Sequence, residues 1–115
     1  MPIHQRIYER LKAVAQAEQT VNYSSIAPLA GLNMESQADR NEIGRISDDI
    51  NLHEHAEGRP MLSVVVVRED MNYPGKGFFD LARRLGIHHG HNDIEFFVTE
   101  LKRVHAYWRE YPKDE

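Results

Sequence analysis

Seven histidines in a chain with no cysteine raise metal binding before any other chemistry. His88, His89 and His91 cluster around Gly90, and His53 and His55 lie near the end of a helical pattern. Neutral imidazole is a common zinc or copper ligand. The spacing argues against that use, because residues two apart on a helix do not share a face and no HExxH or paired Cys/His pattern occurs. The histidines read as structural or solvated side chains, His105 as a boundary residue on a helix flank, and no metal is expected. Ser63 has no G-x-S-x-G elbow or partnered base, so it reads as a satisfied buried hydroxyl. Asp48 and Asp49 are adjacent, which on a helix sets them about 100° apart and excludes a shared-proton pair. They read as solvated face. Pro74-Gly75-Lys76-Gly77, with Tyr73 before it and Phe78-Phe79 after it, offers backbone donors to an anion but lacks the second half of a P-loop. It reads as a tight turn that Phe78 and Phe79 anchor. Arg59, just before Pro60, is placed to neutralise Glu54 or Glu57. No catalytic residue and no cofactor is expected from this inventory.

The elements that must position these groups are legible from periodicity. Ile3, Ile7, Leu11 and Val14 recur at helical spacing, which predicts an amphipathic helix over 2–18 with Pro2 in its first turn. Thr20 to Asn22 is extended in propensity, and Asn22 is placed to cap a helix carrying Tyr23, Ile26, Leu29 and Ala30, distorted by Pro28 and stopped at Gly31. Ile43, Ile46 and Ile50 predict a third helix over 38–56, closed by Gly58, with the acids on its outer face. Pro60 to Val67 is rich in β-branched residues and predicts one strand buried on both faces, pairing with Thr20–Asn22 or with Asn72–Pro74. A short helix then turns Phe78, Leu81, Ala82 and Leu85 inward and stops at Gly86. The last helix starts at Asn92 with Glu95 in capping position, carries Ile94, Phe97, Leu101, Val104 and Trp108 inward, and ends near Arg109, with 110–115 frayed. The expected class is a mainly helical α+β domain, one unit over 1–115, with about five helices and one central strand in a small sheet.

Composition bounds the function. At 115 residues, 41% hydrophobic and 28% charged, the chain has the size and balance of one globular unit. The longest apolar run is strand-sized and the N-terminus has no apolar signal core, so a membrane role is not expected and a cytoplasmic location is. The net charge of −4 is uneven: residues 35–59 hold seven acidic and three basic side chains, a local balance of −4.

The stretch Thr20-Val21-Asn22-Tyr23-Ser24-Ser25-Ile26-Ala27, then Gly31, Ile43-Gly44, and Pro60 followed by Val64-Val65 resembles the winged-helix domain of the alkylated-DNA repair methyltransferases and their alkyltransferase-like relatives. The resemblance covers about 20–80. It implies a helix-turn-helix followed by a wing-like strand, a phosphate contact at Tyr23, and Asn41 with Arg40 beside it where that family has its arginine finger. The acceptor motif Pro-Cys-His-Arg-Val is replaced by Pro60-Met61-Leu62-Ser63-Val64. Without a thiolate there is no alkyl acceptor.

Three functions follow as expectations. The first is a non-enzymatic, winged-helix-like module acting through a macromolecular partner, binding nucleic acid weakly through Tyr23, Ser24, Ser25, Arg40, Asn41, Arg45 and Lys76. The acidic third helix works against strong binding, because a duplex attracts Lys and Arg. The second is an acidic inhibitor, immunity or adaptor protein that docks on a basic protein surface through Asp48, Asp49, Glu54 and Glu57. The third is a ligand pocket lined by Tyr23, Arg59, Ser63, Tyr73 and Lys76.

Overall fold

Apolar spacing places the first helix, but a cap decides where it starts. A computed structural model describes residues 3–110, and Pro2 and residues 111–115 lie outside the described residues. Helix α1 runs Gln5–Gln16, because the His4 ring accepts the Ile7 N–H at its N-cap. It buries Ile7, Leu11 and Val14 as the spacing predicts, and Tyr8 and Ala15 besides. Strand β1 (Val21–Asn22) follows, then α2 (Tyr23–Ile26), which tightens into a 3-10 turn over Ala27–Ala30 where Pro28 supplies no N–H. Asn22 occupies the N-cap of α2, but its side chain makes no cap bond. Gly31 ends the segment in the left-handed region at φ 70°. Helix α3 (Gln37–Ala56) starts one residue earlier than its pattern suggests, with Ser36 Oγ accepting the Asp39 N–H.

The β-branched run departs most from expectation. Its burial is as predicted, every residue from Met61 to Val67 being at most 3% exposed. Its conformation is not: Leu62–Val65 is a 3-10 turn, and only Val66–Val67 forms a strand, β2. The partner is the first of the two predicted, in a parallel ladder with Val21 opposite Val66 and Asn22 opposite Val67. A two-residue partner satisfies only two residues' worth of ladder, so the remaining buried donors find other acceptors. Met61 N–H donates to Glu100 Oε2 at 2.9 Å, Ser63 N–H to Asn51 Oδ1 at 3.0 Å, and Val64 N–H to the Met61 carbonyl at 3.1 Å. Residues 72–74 pair with no strand; Arg68 N–H and Tyr73 C=O instead close a turn at 2.9 Å, with Asn72 at φ 60°.

Gly75 is the N-cap of α4 (Lys76–Arg84), so Lys76 and Gly77 open the helix rather than complete a turn before it. Glycine is among the residues favoured at a helix N-cap, where the backbone is still extended. Helix α5 (Asp93–Arg109) begins as its pattern predicts, Asn92 Oδ1 accepting the Glu95 N–H at 3.0 Å. Phe97, Val104 and Trp108 are buried, while Ile94 in the first turn is 47% exposed and does not join the core. The mainly helical α+β class therefore holds: among the described residues, five α-helices wrap the buried 61–67 segment and a two-stranded parallel sheet. No helix among them is long and apolar enough to cross a membrane.

Glu54 is the clearest correction. The acidic pattern assigned it to the solvated face of α3, yet it is fully buried. It accepts from Tyr8 Oη at 3.0 Å and from Arg59 Nε and Nη2 at 2.9 and 3.0 Å. Burial, with Glu54 beside it, pushes the Tyr8 hydroxyl up to about 12, and the Arg59 guanidinium is raised further by its bond to Glu54. Removing one partner of such a pair strands the other, at a cost of about 3 to 5 kcal/mol. Glu54→Ala is therefore expected to lose at least about 3 kcal/mol of unfolding free energy in urea, followed by Trp108 fluorescence. Glu57→Ala, at an exposed position, should leave the midpoint in place.

Candidate functional site

Helix α3 runs past the start of α4, and a cleft of about 630 Å³ lies along it. Tyr23 from α2, Met34 from the loop before α3, Ser63 from the buried 3-10 turn, Arg68 and Gly75 from the following loop, and Gly77 and Phe78 from α4 complete its wall. Helix α3 itself contributes Arg40, Asn41, Ile43, Gly44, Arg45, Ser47 and Asp48, one side of the helix at roughly three- and four-residue spacing.

The floor is buried and the rim is charged. Ile43, Phe78, Ser47 and Ser63 are 1%, 5%, 7% and 3% exposed, whereas Arg40, Arg45 and Arg68 are exposed. Ser63 is satisfied, accepting from Asn51 Nδ2 at 2.7 Å, as the sequence predicts. Ser47 Oγ is buried and has no hydrogen-bond partner among the described residues. Such groups are rare and call for an explanation. Asp48 is half-buried, and burial raises its pKa, opposed by Arg84 and reinforced by Asp49. Tyr23 Oη accepts the Gly75 N–H at 3.1 Å, and burial raises its pKa, so the hydroxyl keeps its proton.

The glycines point the same way. Gly44 lies within α3, where glycine costs about 1 kcal/mol relative to alanine, and a Cβ there would meet nothing within 4 Å. Gly77, in the first turn of α4, is equally open. Neither is needed for close packing, and both leave the cleft unfilled.

Four of the seven residues expected to touch nucleic acid, Tyr23, Arg40, Asn41 and Arg45, line this one cleft. Ser24 and Ser25 are exposed on α2, and Lys76 points to solvent in an ion pair with Asp80. Arg45 is engaged by Glu42 and Asp49 on its own helix. Of the five residues expected to form a pocket, Tyr23 and Ser63 do so. Arg59 is committed to Glu54 with its guanidinium 5.9 Å from the Trp108 ring, and Tyr73 lines a separate shallow groove near His91 and Asp93. Of the four expected partner-binding acids, Glu54 is buried, Asp49 is held by Arg45, Asp48 turns to the cleft and Glu57 is exposed. Ser47, Gly44 and Phe78 were not singled out as site residues from sequence. The signal for Ser47 was its place four residues after Ile43 on an otherwise inward stripe.

The histidine loop divides. His88 is buried, its Nε2 2.9 Å from Asp93 Oδ1 and its ring stacked on Phe96 at 4.4 Å between centroids. Asp93 also accepts from Arg83 Nη2 at 2.6 Å, and its pKa is lowered, chiefly by the His88 bond. His89 and His91 are exposed, and among the described residues no three potential ligands converge on a metal position. His105 Nε2 lies 3.0 Å from the Gln19 carbonyl. No protein-family model, curated protein or solved structure matches this chain.

Two substitutions separate a cleft that works from one that only packs. Ser47→Ala removes an unpartnered buried hydroxyl and is expected to hold or raise stability, by up to about 1 kcal/mol in urea unfolding. Asp48 has a folded-state pKa above its ordinary 3.8, so its contribution to stability is complete below that value and is lost as pH rises. Asp48→Asn should therefore be more stable than wild type at pH 7, with the gain vanishing well below pH 3.8.

Proposed function

We propose that this chain is a small binding module whose working surface is the cleft along α3, and that its ligand is a small organic molecule held inside that cleft. The observation that carries the reading is the cleft itself, a concavity of about 630 Å³ bounded by apolar Met34, Ile43 and Phe78 with Ser47 and Ser63 among them, and rimmed by Arg40, Arg45, Arg68 and Asp48. A concave, mostly apolar pocket with a few convergent polar groups and a shifted carboxyl is the usual form of a ligand site. Binding rather than catalysis follows from the lining, since Ser63 is occupied by Asn51 and neither serine has a base in hydrogen-bond reach.

A thermal-shift screen of a small-molecule library against the full chain tests this, with Gly44→Leu as the control that fills the cleft. A ligand that prefers the native state raises its apparent stability. Compounds that stabilise wild type but not Gly44→Leu are expected. A screen with no stabilising compound, or one whose compounds act equally on both proteins, would remove the proposal.

A second reading keeps the macromolecular partner. Its support is that Tyr23, Arg40 and Asn41 share one rim on consecutive elements ordered as in a helix-turn-helix. Against a full winged helix, the two strands run parallel, and no antiparallel hairpin occurs among the described residues. Binding to single-stranded or duplex DNA at low salt, weakened by Arg40→Gln and falling steeply as salt rises, would favour this reading. No anisotropy change at low salt would dismiss it.

A further inference from the structure

Helix α5 closes the core with one side and leaves another uncovered. Phe97, Val104 and Trp108 are buried, but Ile94 and Val98, one turn apart, are 47% and 42% exposed. They are two of the four large apolar side chains left exposed among the described residues, Leu52 and Met71 being the others. Half-buried Leu101 extends the row, and the spacings of 4 and 3 along Ile94, Val98 and Leu101 are those of a seam between two helices. No residue of α5 lines the cleft along α3, so this surface is independent of the ligand proposed for that cleft.

The charges of α5 decide what fits the row. Asp93 is paired with Arg83 and His88, Glu100 with Arg103, and Arg109 with Glu18 and Glu110. Glu95 and Lys102 are exposed, and neither side chain has a partner among the described residues. They lie seven positions apart, which puts both on one edge of the row but about 10 Å apart along the axis, out of each other's reach. An acid toward one end of a row and a base toward the other complement the same row turned end for end. A two-fold axis crossing α5 beside Val98 makes contacts reciprocal, so Glu95 would meet the partner's Lys102 and Lys102 the partner's Glu95. In that register Val98 would pack against the partner's Leu101, with the helix axes about 8 to 10 Å apart. Parallel helices in register would set each charge level with its own like, and a partner of a single charge sign would satisfy only one of the two.

We infer that α5 is a self-association surface, through which two copies of this chain pair with their α5 helices antiparallel. Ile94, Val98 and Leu101 form the seam, and two pairs of Glu95 with Lys102 flank it. Three apolar residues per copy are few beside the roughly 20 to 30 residues a side of a standard interface, so the dimer is weak and depends on protein concentration. Sedimentation velocity of the full chain over about a hundredfold range of concentration is expected to show monomer passing to dimer. Val98→Asp, at an exposed position, should keep the wild-type unfolding midpoint measured on dilute protein and stay monomeric throughout. Lys102→Glu should weaken the dimer about tenfold at low salt, because both flanking pairs become like-charged, and the loss should shrink as salt rises. Adding Glu95→Lys to Lys102→Glu restores opposite charges across the seam and should recover the dimer, although it removes an acid from the first turn of α5. A wild-type chain that is monomeric at every concentration, or a dimer that survives Val98→Asp, overturns the proposal. A double variant no tighter than Lys102→Glu alone overturns the antiparallel arrangement.

Discussion

A stretch of backbone buried at the centre of a small domain must satisfy its N–H and C=O groups without water, and the segment from Met61 to Val67 meets that demand without a proper sheet. Its donors are taken by Glu100 from α5, by Asn51 from α3, by the local 3-10 turn and by two residues of β1. Each acceptor belongs to a different element, so satisfying this one segment fixes α3, α5 and the β1 connection relative to each other. A buried amide left unpaired costs about 1 to 3 kcal/mol, which makes these few bonds as decisive as the apolar contacts around them. Glu100 is itself 1% exposed and is paired by Arg103, so the clamp brings its own counter-charge.

Helix α3 is built differently in its two halves. Toward its C-terminus the inward polar groups are complete: Asn51 holds Ser63, and Glu54 holds Tyr8 and Arg59. In the middle, Ser47 lacks a partner among the described residues and burial raises the pKa of the Asp48 carboxyl. Gly44, one turn earlier, gives up helix stability without a packing reason. These local departures fall together at one concavity, on a helix that obeys the same rules elsewhere.

Burial was readable where polarity and periodicity agree. Ile7, Leu11 and Val14, Ile43, Ile46 and Ile50, and Phe97, Val104 and Trp108 all face the core as their spacing requires. Gly31, Gly58 and Gly86, placed as helix stops, all adopt positive φ. Glu54 was misread because side-chain type outweighed position, although it follows Ile50 by four; Glu100, which precedes Val104 by four, was not singled out. The clue was present, but a carboxylate on an apolar stripe is acceptable only if a cation or a buried amide waits opposite, and periodicity contains no information about what lies opposite.

The order of residues was thus enough to specify which segments coil, where they stop and which side of each turns inward, because those preferences arise within a turn or two of the chain. Whether Pro60 to Val67 became a strand was settled by the length of its partner, since β-branching favours burial and extension but cannot create a neighbouring edge. The cleft belongs wholly to assembly. Tyr23, Ser47, Ser63, Arg68 and Phe78 come from five separate stretches, and only the packing of α3 beside α4 and the buried turn puts them around one space.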